Sequence, residues 1–104
     1  MIIKTKLVGV SFHDRQKNIV LLRAGQALFW KHESENPFDS NSILVYADVG
    51  LTVEVGHLRR ELAAEFVERM GRGMVQRLFV DQVTGGGEKQ SLGVNVRVIV
   101  DEAL

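Results

Sequence analysis

The most polar stretch of the 104-residue chain, His32–Ser42 (HESENPFDSNS), sets an aromatic ring, a carboxylate and two amides around the only proline. Pro37 restrains Asn36 to extended backbone. Asp39 and Asn41 are residue types that bond local backbone amides in turns. Phe38 either plugs into a core or offers a stacking face. The stretch is therefore a structured turn between strands, or a recognition loop that presents ring, acid and amide together. A second candidate is Gly56–Leu62 (GHLRREL), where a strand runs into a helical turn carrying His57, Arg59 and Arg60. Cations at a helix N-terminus oppose its dipole, at a cost of about 0.3 kcal/mol or more. They become useful where an anion is held by free backbone amides and guanidinium groups together. The alternative is a solvated basic pair offset by Glu61 and Glu65.

Other chemistries lack their spacing. Asp39-Ser40-Asn41-Ser42-Ile43 begins like a calcium loop but has no third ligand, glycine or distal glutamate. His13, His32 and His57 follow no metal-binding repeat, and the chain has no cysteine. Ser11, His13 and Asp14 are neighbours without the Gly-x-Ser-x-Gly elbow that exposes a nucleophile. Gly85–Gly87 precedes Lys89 at the wrong spacing for a phosphate loop, and no Ser or Thr follows the lysine. The expectation is a binding module with no catalytic residues, metal or cofactor.

Six segments read as strands that must position these residues: Ile2–Phe12, Ala27–His32, Ile43–Ala47, Leu51–Gly56, Met74–Thr84 and Ser91–Asp101. The last has the clearest period of two, with Leu92, Val94, Val96, Val98 and Val100 on one face. One helix is expected over Leu58–Met70, where Leu58, Leu62, Phe66 and Met70 recur every four positions before a charged back. Asn18–Arg23 fits a short helix starting at Asn18. Gly85–Lys89 reads as the hairpin loop joining the last two strands. Six short antiparallel strands with one or two helices predict a small, mainly β (α+β) barrel of OB or SH3-like type.

Thirteen basic residues balance thirteen acidic ones, so the formal charge is zero with neutral histidine. That argues against a broad positive face coating duplex nucleic acid. At 104 residues and 45% hydrophobic, the expectation is one domain, 1–104, with a single core. The longest apolar run, Ile43–Ala47, is far too short to span a bilayer. Met1–Phe12 lacks the apolar stretch of a signal peptide. A monomeric, cytoplasmic domain without membrane contact is expected.

Gly9-Val10-Ser11-Phe12-His13, Gly25-Gln26-Ala27-Leu28 and Asn36–Ile43, followed by Val55–Ala63 and the closing strand Leu92–Val100, resemble the HIRAN domain over nearly the whole chain. The Asn-Pro-aromatic-Asp-x-Asn run, followed by Gly-His-Leu-basic-basic-Glu-Leu-Ala, is the specific part. The resemblance implies an OB-type barrel that captures the 3′-hydroxyl end of single-stranded DNA, in repair or replication-fork processing beside repair or helicase proteins. It assigns Asp39 to the terminal hydroxyl and Phe12 and Phe38 to stacking on the end bases. Asn36 falls in the same binding loop, and His57 and Arg60 contact phosphate. Ser11-Phe12 stands where the family's eukaryotic binder has arginine and tyrosine, and Phe38 replaces a second tyrosine. Stacking survives these changes, whereas one cation and two phenolic hydroxyls do not. The alternative is a protein-interaction adaptor that kept the barrel and lost DNA binding, with Met74–Val83 as an exposed strand.

Overall fold

The computed structural model describes residues 1–88 and 90–101. In chain order it contains β1 (Ile2–Lys6), α1 (Arg15–Ile19), β2 (Ala27–His32), β3 (Ile43–Tyr46), β4 (Glu54–His57), α2 (Arg60–Gly71), β5 (Val75–Gly85) and β6 (Leu92–Asp101). The strands form one antiparallel six-stranded sheet in the order β1-β6-β5-β2-β3-β4. The sheet curls until its outer members meet. Val8, just beyond β1, and His57, at the end of β4, exchange both backbone hydrogen bonds at 2.9 Å. The result is the expected mainly β, OB-like barrel, closed along that seam by a single bridge. Gly56 makes the close approach possible: a Cβ there would lie 2.9 Å from the Val8 carbonyl oxygen and 3.2 Å from Val10 Cγ1.

The alternation read along β6 is realised, since Val94, Val96, Val98 and Val100 are all buried. They join Leu7, Leu28, Val45, Val55, Leu78 and Val80 in one continuous core. Ile19 of α1 and Phe66 of α2 enter the same core. Phe66 meets Trp30 edge to face, with ring centroids 5.1 Å apart, a favoured aromatic geometry.

Several boundaries differ from the sequence reading. The first segment stops being a strand at Lys6, because Gly9 turns the chain with φ of +67°. The short helix lies at Arg15–Ile19 rather than 18–23. Asn18 does not start it; its side-chain amide instead donates to the Glu54 carbonyl at 2.8 Å. The fourth strand begins at Glu54, not Leu51. Asp48 caps the preceding turn by accepting from Val53 N–H at 2.8 Å, and Leu51 takes a left-handed φ of +57°. Helix α2 starts at Arg60, because buried Leu58 still follows the sheet and donates its N–H to the Ile43 carbonyl. At the other end Met70 is 38% exposed, so the apolar stripe runs out one turn early. β5, expected over Met74–Thr84, runs from Val75 to Gly85 beside β6 and pairs with β2 only at Leu78 and Phe79. In the hairpin loop Lys89 lies outside the described residues. No helix among the described residues is long and apolar enough to cross a membrane.

Candidate nucleic-acid interface

Two loops bring the polar and aromatic residues to the seam of the barrel. The first, Gly9–Asp14, is held by side chains of α1. Gln16 donates to the carbonyls of Val10 (2.9 Å) and Leu92 (3.0 Å), and accepts from Leu92 N–H (2.8 Å). Arg15 donates to the Gly9 carbonyl at 2.8 Å and to Glu54 Oε1 at 2.9 Å. With its flanks fixed in this way, the loop leaves the Phe12 ring 65% exposed.

The second loop, between β2 and β3, is organised by its own polar side chains. Asn36 Oδ1 accepts from the N–H groups of Phe38 (2.9 Å) and Asp39 (3.2 Å), and Asp39 Oδ1 accepts from Asn41 N–H (2.9 Å). His32 Nε2 donates to the Ser40 carbonyl at 2.8 Å. The turn is hydrogen-bonded and Phe38 stands 87% exposed on it. Neither phenylalanine is a core plug.

Phe12, Asp39, His57 and Arg60 line one cavity of about 410 Å³, with Gly9, Arg15 and Ser42 also in its wall. A neighbouring hollow of about 350 Å³ is formed by Asn36–Asn41 with Arg60 and Ala64. A third, of about 490 Å³, follows the loop backbone from Lys31 to Phe38. Asn36 and Phe38 are absent from the first cavity and sit on the far side of Asp39. Four of the six expected residues thus share one concavity, and the other two flank it.

His57 occupies the back of that cavity with both ring nitrogens engaged. Nδ1 is 3.2 Å from Arg15 Nη1, and Nε2 is 2.8 Å from Glu33 Oε1. Ser42 Oγ donates to the same Glu33 oxygen at 2.7 Å. Burial acts to raise the Glu33 carboxyl. The hydrogen bonds that Ser42 and His57 donate, with the charge of Arg15 nearby, outweigh it and hold the group below its ordinary value. A phosphate reaching the His57 ring nitrogen would have to displace Glu33. The resemblance assigns this ring to phosphate, and it lines the cavity beside Arg60.

Arg15 and Glu33 are the site residues that sequence reasoning missed. Arg15 is only 4% exposed, and a buried charge of this kind persists only when paired. Its local sequence, HDRQKN, resembles a solvated turn, and its partner Glu54 lies 39 positions away. Among the described residues, no group of three or more His, Cys, Asp or Glu side chains is arranged to hold a metal ion.

The fold is similar to two solved structures. One is the HIRAN domain of human HLTF, with TM-score 0.69 and 18% identity over 93% of this chain and 72% of that one. The other is a protein from Lactobacillus plantarum, with TM-score 0.70 and 21% identity over 98% of both chains. No curated protein matches the sequence. The HIRAN domain family model matches residues 2–102, and the chain belongs to that family.

Proposed function

We propose that the domain is a non-catalytic, nucleic-acid-binding module that captures the 3′-hydroxyl end of single-stranded DNA. The observation that carries this reading is the meeting of an exposed Phe12 ring, the Asp39 carboxylate and the Arg60 guanidinium around one cavity. At about 410 Å³ it falls among ligand pockets of roughly 300–1,000 Å³, room for one nucleotide.

Each group then has a task. Phe12 stacks on the terminal base, and Phe38, beyond Asp39, stacks on the base before it. Such contacts are worth about 1–3 kcal/mol per base and are indifferent to sequence. Asp39 commits Oδ1 to Asn41, leaving Oδ2 to accept from the terminal hydroxyl, a donor that interior nucleotides lack. The same carboxylate repels a 3′-phosphate. Arg60 compensates the phosphate entering the site, and Asn36 shapes the loop. Zero net charge suits a site that reads a terminus and needs few phosphates. In repair or fork processing, it would act beside a repair ATPase or helicase.

The test compares two oligonucleotides that differ only at the 3′ end. The hydroxyl form is expected to bind more tightly than the phosphate form, and Asp39→Ala to erase the difference. Equal binding of the two by the unaltered protein would overturn end capture. The alternative is a protein-interaction adaptor that has lost DNA binding, favoured by the missing arginine and the zero net charge. It predicts no oligonucleotide-induced NMR shift changes at Phe12, Phe38 and Asp39.

A further inference from the structure

We infer that Arg15 is the positioning residue of this site: together with Glu33 it fixes the His57 ring from both of its nitrogens, and it holds the Phe12 loop against β4. Arginine stays charged and can only donate, so His57 Nδ1, 3.2 Å from Arg15 Nη1, must be the acceptor. The ring proton therefore sits on Nε2, where it points at Glu33 Oε1 2.8 Å away. The same Nη1 also donates to the Gly9 carbonyl at 2.8 Å. One nitrogen thus ties the left-handed turn that leads to Phe12 to the histidine at the back of the cavity. Glu54 Oε1, 2.9 Å from Nη2, balances the buried charge and aims the guanidinium.

The relay continues through the cavity floor. Arg15 donates to His57, His57 to Glu33, and Ser42 to the same Glu33 oxygen. β4, α1 and the loop before β3 are coupled in this way by side chains alone. With Nη1 shared between Gly9 and His57, and Nε and Nη2 directed at Glu54, Arg15 acts on a ligand through its neighbours. A nucleotide would meet the consequence, a fixed ring and a fixed loop.

The consequence for binding rests on the end-capture reading, whereas the consequence for His57 does not, so two measurements separate them. The variant Arg15→Met with Glu54→Gln removes the donor together with the charge of its part-exposed partner, which keeps the fold testable where Arg15→Met alone fails to fold. Long-range proton–nitrogen NMR of the unliganded protein reports the ring. The unaltered protein is expected to show His57 with the proton on Nε2 only. The double variant is expected to keep the proton on Nε2, facing Glu33, and to show a shifted Nδ1 resonance with shifted Gly9 and Phe12 amides. Its affinity for a 3′-hydroxyl oligonucleotide is expected to fall about tenfold, the loss of roughly one net hydrogen bond. A proton on Nδ1 in the unaltered protein, or an unchanged Nδ1 resonance in the variant, overturns the role of Arg15. So does a shifted Nδ1 resonance with full affinity. If the unaltered protein binds no oligonucleotide, end capture falls and the ring measurement still decides the assignment of Arg15.

Discussion

Asp39 and Arg60 border the same two hollows, the one that contains Phe12 and the one that contains Phe38. One comes from the loop before β3 and the other from the first position of α2. An acid and a base thus stand between two exposed rings, and a chain running from ring to ring must pass them.

Substitution at Asp39 should separate its two duties. Asp39→Asn keeps an oxygen for Asn41 N–H and removes the charge, so the preference for a 3′-hydroxyl over a 3′-phosphate should narrow with little change in melting temperature. Asp39→Ala should erase the preference and also cost about 0.5–1.5 kcal/mol of stability through the lost loop bond. Fluorescence anisotropy and thermal melting measure the two effects.

The rings should behave as binding groups and not as packing groups. Phe12→Ala and Phe38→Ala are each expected to weaken oligonucleotide binding by about 1–3 kcal/mol. Both side chains are largely exposed, so stability should stay within about 0.5 kcal/mol of the original. Urea denaturation that reveals a large loss would mean that the rings support the fold.

Arg60 should trade stability against affinity. Its place in the first turn of α2 sets a cation against the helix dipole, so Arg60→Gln should stabilise the domain by about 0.3 kcal/mol. The same change should lower the slope of log affinity against log salt by about 0.7, the share of one phosphate on a single strand. A salt titration with an unaltered slope would remove Arg60 from the phosphate contact.

Glu33 predicts how the domain responds to acid. Its carboxyl is held below the ordinary value, so its ionised form is favoured in the folded state. The stability it contributes is complete above the unfolded-state value and is lost as pH falls through the lower folded-state value. Glu33→Gln should flatten that acid limb of a stability-against-pH curve and leave the neutral region flat. An unchanged acid limb in the variant would assign the acid response to other carboxylates.

Regular features were legible in the sequence wherever one period governed burial. β6 alternates from Val94 onward, and Leu62 and Phe66 mark the buried face of α2. The boundaries were harder because local pattern and tertiary path diverge there. Leu58 fits the four-residue spacing of the helix, yet it is buried before the helix begins. The loop residues Asn36, Phe38 and Asp39 could be singled out by type, and exposure of the two rings could not be read from type alone. Arg15 was invisible for a similar reason. Its meaning comes from Glu54 and His57, 39 and 42 positions along the chain.

The hydrogen at Gly56 in place of a side chain has a consequence for the whole recognition surface. With 2.9 Å to the Val8 oxygen, even one methyl would wedge the opposing ribbons apart. Parting them would carry off the imidazole on one lip and the phenyl-bearing turn on the other, dismantling the receptacle without altering any group inside it. Molecular fit here depends on an atom left out of the scaffold as much as on those presented to the guest.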